Sequence, residues 1–274
     1  LTVPRIPGRK VPIHAPGVMF LMLSIGLVVV AATMVGQRAP WGQDMLVAGA
    51  AVVSGVAFLL IAARRSDRLV APRALLERRY TRATAMAAST MFIMGIMLTS
   101  LPLWLAQDLG LGPGPVGIIV FAMAAAMATS AKLTSALRRM WGGWVTSILA
   151  LGVLMAVPML LGAWLDLGPG EGAVVVQSVV IVLALLTMGA AINAAQSIAA
   201  FSVSLSDTGR NSLAFGMHNT ARFVGMAMGF ATTALLYPVG SMMLTFTGAL
   251  AAAGVTLWLV VAGGPLDGRR VEVG

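Results

Sequence analysis

The sequence predicts an all-α membrane protein of about eight transmembrane helices, arranged as two linking helices followed by a six-helix bundle. Three observations predict it. Of 274 residues, 59% are hydrophobic and only 10% charged, and mean hydropathy is +0.94, a balance outside that of soluble domains. The apolar residues fall in runs near the ~20 residues a helix needs to cross ~30 Å of hydrocarbon. The charged residues, Lys132 and Arg222 excepted, lie between those runs. In a bilayer, backbone groups have no water to bond, so a spanning segment is a helix or a strand of a closed barrel. Runs this long, without period-two alternation, are helices.

Taken in order, the predicted spans are 18–35, 45–63, 84–105, 115–133, 144–164, 173–201, 212–237 and 241–261. Pro, Gly and charged residues bound them: Pro16-Gly17 opens the first, Asp44 and Arg64-Arg65 flank the second, and Arg82 and Asp108 flank the third. Pro113 and Pro115 open the fourth, Gly142-Gly143 the fifth, Pro169 to Gly172 the sixth, Gly209-Arg210 the seventh and Gly240 the eighth. Residues 1–17 read as a cytoplasmic loop remnant. Residues 18–63 are the linking helices, 64–83 a basic cytoplasmic linker, 84–263 the six-helix unit and 264–274 a cytoplasmic tail. Six helices of this spacing suggest two three-helix pieces related by pseudosymmetry.

Orientation follows from the basic residues. Arg5, Arg9 and Lys10 precede the first span, and seven more, Arg64 to Arg82, separate the second from the third. Lys132, Arg138 and Arg139 lie at the junction of the fourth and fifth, Arg210 and Arg222 at the near side of the seventh, and Arg269 and Arg270 after the eighth. Arg38 alone falls on the other side, where Asp44, Asp108, Asp166 and Glu171 collect. An excess of Lys and Arg marks the cytoplasmic face, so both termini are expected there, in a multi-pass protein of the cell membrane. The six tryptophans, Trp41, Trp104, Trp141, Trp144, Trp164 and Trp258, fall near span ends, where an indole is half buried with its N–H wet.

Composition also excludes functions. The net charge of +9 is distributed between apolar spans rather than on a basic face with aromatic readers, so no nucleic-acid partner is implied. With no cysteine and only His14 and His218, the chain offers no metal site and no convergent catalytic group, so an enzyme is not expected. No phosphate-binding Gly-rich loop leads into a Lys-Ser/Thr pair, and no cofactor is expected. The amino-terminal stretch lacks the apolar run and cleavage site of a signal peptide, and reads as a loop interrupted by a cut. The basic linker reads as a short amphipathic surface helix, serving as a topology anchor or binding anionic headgroups.

Several stretches carry a family resemblance. They are the Gly-Gln-Arg-Ala-Pro-Trp-Gly run at 36–42, Ala71-Pro-Arg-Ala-Leu-Leu leading into the third span, and the turn from Leu101 to Gly117. Gly209-Arg-Asn-Ser then precedes the helix from Asn219 to Ala231. In this order and spacing the chain resembles the major facilitator superfamily, in its fourteen-span drug:proton antiporter branch, from Ala15 to about Gly264. The resemblance implies two linking helices and a carboxy-terminal half-bundle working by alternating access. Its function would be proton-coupled export of apolar or cationic small molecules. It implies as partner the amino-terminal six-helix half, or a second subunit in its place. The stretch Ala131 to Arg139 only weakly resembles the family's Gly-x-Leu-x-Asp-Arg gating motif: Ser135 and Ala136 stand where the acid and base would be. A transport-inactive half acting as a membrane interaction protein is the alternative.

Candidate residues follow from polarity inside the spans. No Asp or Glu lies inside any span, so no intramembrane proton relay is evident. His218 and Arg222, four apart on one face, are gating or proton-sensing candidates, or Arg222 snorkels. Lys132, Arg138 and Arg139 are further gating candidates at the inner end. Thr90, Met94 and Met97 share a face that resembles the family's cavity wall, although methionines are also common filler. Asn193 and Gln196, with Ser197, form a polar stripe that can meet substrate or bond a neighbouring helix. Gly225 and Gly229 make a Gly-x-x-x-Gly face for tight packing or sliding.

Overall fold

A computed structural model of the chain describes residues 76–168, 173–208 and 212–264, with isolated helical positions between 19 and 57. The amino-terminal stretch 1–17, most of both linking spans, the linker up to residue 75 and the tail from 265 lie outside the described residues. Between residues 76 and 264 the chain forms six α-helices. They are α1 (Arg78–Gln107), α2 (Pro113–Thr129), α3 (Ala131–Leu165), α4 (Ala173–Ser204), α5 (Ser212–Leu236) and α6 (Met242–Ala262), with a 3-10 turn Tyr237–Val239 before α6. Among the described residues there is no strand. Among the described residues four helices are long and apolar enough to cross a membrane: α1, α3, α4 from Val174 and α6. α2 is apolar but has 17 residues, about 25 Å of helix.

Two boundaries differ from the sequence reading. α1 begins at Arg78 rather than at 84, so the end of the basic linker is part of it. The segment 134–143, left between the fourth and fifth predicted spans, is helical apart from the break at Gly142. Ser130 turns the chain after α2, and α3 starts at once as an arm, 131–141, that continues into the main shaft. Hydropathy missed the arm because its basic residues dilute the average, yet it is amphipathic: Thr134 is buried, whereas Leu133, Met140 and Trp141 are exposed. Arm and shaft meet at Gly142 (φ 78°, ψ 165°), a conformation in which a Cβ would be strained.

The helices pair in a pattern that repeats when α1-α2-α3 is exchanged for α4-α5-α6. α1 packs along α5 as α4 packs along α2, and α1 meets α6 as α4 meets α3. The pairs α1 with α4 and α3 with α6 map onto themselves. Because each unit has three helices, the second starts at the opposite end from the first, so the repeat is inverted. Its two seams close over small residues. A Cβ at Gly225 would overlap the Ala88 carbonyl, one at Gly229 the Phe92 carbonyl and one at Gly95 the Met226 carbonyl. In the corresponding seam a Cβ at Gly189 would overlap the Met123 carbonyl. Helices without a hydrophobic drive to associate in lipid gain most from such backbone approach. Around the central α1–α4 contact lies the core, in which Ile96, Met97, Leu154, Ile181, Leu185 and Phe246 are fully buried.

Each repeat is locked by a polar residue one turn into its first helix. Arg82, the fifth residue of α1, donates to four carbonyls at the end of α6: Leu259 at 2.9 Å, Val260 at 2.7 Å, Gly263 at 2.6 Å and Gly264 at 2.6 Å. They lie at a helix C-terminus, where carbonyls lack intrahelical donors and positive charge is favoured, although the Leu259 carbonyl also accepts from Gly263 N–H. Trp144 Nε1–H donates to the Val260 carbonyl as well, at 3.1 Å. Gln177, the fifth residue of α4, donates to the Gly168 carbonyl just beyond α3, at 3.2 Å. At that same end Asp166 accepts from the Ser241 hydroxyl (2.7 Å) and the backbone N–H groups of Met242 (2.6 Å) and Met243 (3.1 Å), capping the start of α6.

Candidate functional site

Polar residues inside an apolar bundle must find partners, because each unpaired group costs several kcal/mol in hydrocarbon. The candidates fall into three groups by the partners they find. The first lies between α1 and α4. Gln196 donates to the Ala87 carbonyl at 2.9 Å and to Thr90 Oγ1 at 2.5 Å, while the Thr90 hydroxyl donates to the Ala87 carbonyl at 3.0 Å. Thr90 and Met97 are fully buried and Gln196 nearly so, which places them inside the six-helix packing; Met94 is half-buried. Asn193, one turn away on α4 and half-buried, donates to Ser130 Oγ (3.0 Å) and Thr134 Oγ1 (3.3 Å), and accepts from Ser197 (3.5 Å). Asn193 therefore pins α4 to the α2–α3 turn. The sequence-predicted set is thus divided: Thr90 and Gln196 meet each other, and Asn193 belongs to a separate junction.

The second group is on α5. His218 is buried, with its Nδ1 3.1 Å from the Thr84 hydroxyl of α1 and its ring beside Phe215. Its Nε2 has no partner among the described residues. Arg222, one turn on, donates to Asn219 Oδ1 at 3.2 Å, and its Nε is buried without a partner among the described residues. The same stripe continues through Gly225 and Gly229 onto the α1 backbone. Arg222 lies about 15 Å along α5 from its start, deeper than a simple interfacial position. The described carboxylates, Glu77, Asp108, Asp166 and Asp207, all lie outside the helices. None therefore sits on a described helix as counter-charge to Arg222.

A third group occupies the basic end of the bundle, where α1 and α5 begin. Here the break at Gly142 and the end of α4 enclose a cleft of about 610 Å³, lined by Ser135, Arg138, Arg139, Met140, Phe201 and the two glycines at the break. Arg138 stacks on Phe201, with its guanidinium carbon 4.5 Å from the ring centroid. Lys132 is exposed on the arm and stands apart from the cleft lining. Ser135, which stands where the gating motif has an acid, donates to the Ala131 carbonyl at 2.9 Å.

Sequence reasoning missed Arg82, Gln177 and Asp166. Arg82 and Asp166 look like topology charges at span ends, and their partners lie far along the chain, the Arg82–Gly264 bond spanning 182 positions; Gln177 looks like one polar residue in an apolar span. A usable signal existed only at the Gly263-Gly264 pair, which marks a helix end with exposed carbonyls. Comparison with known protein families and with curated proteins finds no match for this chain, so the resemblance to the major facilitator superfamily rests on the sequence stretches alone.

Proposed function

We propose that this chain is the carboxy-terminal part of a fourteen-span major-facilitator exporter, moving apolar or cationic small molecules in exchange for protons by alternating access. The observation that carries this reading is the inverted three-plus-three packing, since such repeats commonly build transporters whose halves rock about a central site. In this reading the basic end faces the cytoplasm and both termini lie there, in the cell membrane. A complementary six-helix half, joined in the same polypeptide or supplied as a second subunit, completes the cavity. Met94 and Asn193, the half-buried members of the predicted cavity set, are its candidate lining. Arg222 is the group whose charge a completing half would balance, because a cation in a spanning helix normally meets a partner or a wet cavity.

A second reading, a transport-inactive half acting as a membrane interaction protein, is favoured by a different observation. Thr90 and Gln196 use their polar atoms on each other, and no described helix carries a carboxylate. Efflux of a lipophilic cationic dye from vesicles separates the two readings, comparing this chain alone with the chain co-expressed with a complementary six-helix half. The exporter reading expects proton-driven dye movement only when both halves are present. Movement in neither sample would favour the interaction protein.

A further inference from the structure

We propose that the cleft at the α3 break binds the phosphate headgroup of an anionic phospholipid. The inference rests on the chain being embedded in a membrane and does not depend on transport. The cleft brings two guanidiniums, Arg138 and Arg139, together with the Ser135 hydroxyl, and among the described residues no carboxylate lines it. Neither arginine makes a hydrogen bond or ion pair with another described residue, so their donors remain available; the one contact that orients Arg138 is the Phe201 ring. Stacking fixes the plane of a guanidinium while leaving its N–H edge open, which suits bidentate capture of a phosphate.

Depth in the membrane supplies the second argument. Trp141, exposed at the break, is an indole of the kind that marks the level of the headgroups. The arm beside the cleft exposes Leu133, Met140 and Trp141, and Phe201 is exposed at the end of α4. Apolar surface beside paired cations is the chemistry of an amphiphile with an anionic head: acyl chains lie against the apolar side chains and the phosphate meets the arginines. A soluble phosphate would use the cations and leave the exposed apolar rim without a role. Juxtamembrane arginines at such a surface each strengthen attraction for anionic lipid severalfold. The break at Gly142 makes the site because it turns the arm away from the shaft, opening the space the headgroup would occupy.

The test is native mass spectrometry of the full 274-residue chain released from nanodiscs of phosphatidylcholine containing a minor fraction of phosphatidylglycerol. One retained phosphatidylglycerol per chain is expected. Arg138→Gln/Arg139→Gln should lower its retention about thirtyfold, and Phe201→Leu should lower it less. Lys132→Gln, on the same arm but outside the cleft, should leave retention unchanged and so controls for bulk surface charge. Circular dichroism and a melting curve in pure phosphatidylcholine check that the variants remain folded and inserted. Equal retention by the double variant and the parent would overturn the proposal. So would displacement of the lipid by millimolar glycerol phosphate, which would identify a site for a free anion. Failure of the parent chain to insert into phosphatidylcholine would instead remove the membrane reading itself.

Discussion

The two ends of the bundle solve the same problem with different chemistry. In each repeat the first helix must be joined to the end of the third helix of the other repeat, and each join uses the fifth residue of the first helix. At the basic end that residue is Arg82, whose guanidinium satisfies four carbonyls at once. At the opposite end it is Gln177, which makes one bond to Gly168 and leaves its Oε1 without a partner among the described residues. The difference follows from charge placement. A fork with five donors suits a helix C-terminus, but an arginine is favoured only on the side of the membrane that retains positive charge. The opposite end uses an anion instead, Asp166, and places it at a helix N-terminus, where negative charge is favoured. α6 is consequently held at both ends by charges of the sign its dipole prefers.

The largest loss is expected at the basic end. Arg82→Ala leaves the Gly263 and Gly264 carbonyls without a donor and takes one of two donors from Leu259 and Val260, and should lower stability by about 3 kcal/mol, since bonds to a charged group contribute about 1.5–3 kcal/mol each but are not additive. Arg82→Lys keeps the charge and loses the planar fork, so it should recover less than half of that loss. Thermal unfolding of the purified chain in detergent measures both. A lysine variant as stable as the parent would show that charge alone, rather than the fork, makes the joint.

Asp166→Ala comes next. It removes the acceptor for two backbone N–H groups and one hydroxyl at the start of α6, and losing such a cap costs about 1 kcal/mol. Asp166→Asn retains an acceptor oxygen but not the charge, so it separates the hydrogen bonds from the dipole interaction. Hydrogen exchange at the first turn of α6 localises the effect; protection lost evenly along the bundle would mean that Asp166 acts on the whole packing rather than as a cap.

How much of this was legible beforehand differs by residue. The long apolar helices were, because ~20 uninterrupted apolar residues leave few alternatives. The arm 131–141 was not: a short amphipathic helix with Lys132, Arg138 and Arg139 has the composition of a loop, and only the Gly142 break separates it from the shaft. The polar stripe of Asn193 and Gln196 was visible from helical spacing, yet its partners were not, since nothing local in the sequence says that Gln196 reaches Thr90 on α1 while Asn193 reaches Ser130 and Thr134. Gly225 and Gly229 were read as a close-packing face, and both do lie against the α1 backbone. Arg82 was read only as one more topology charge. Its second role depends on a contact that helix periodicity cannot reveal.

The smallest effect is also the most discriminating for the pairing of the two repeats. Gln177→Leu removes a single 3.2 Å bond at the rim of the bundle and leaves the Gly168 carbonyl at a place water can reach. Interhelical hydrogen bonds in membrane proteins average about 0.6 kcal/mol, so the loss should stay near that value. Gln177→Arg then asks whether the two joints are chemically interchangeable. If the geometry of the repeats is shared, the longer fork can reach the α3 terminus as Arg82 reaches α6, and unfolding should show a gain in stability in detergent, where no membrane side opposes the charge. In a bilayer the same substitution places a new cation at the acidic end, and protease accessibility of the termini reports whether orientation holds. A gain in detergent with mixed orientation in the bilayer would locate the reason for glutamine in insertion rather than in packing; a loss in both would mean that the two ends share topology but not the detailed shape of the joint.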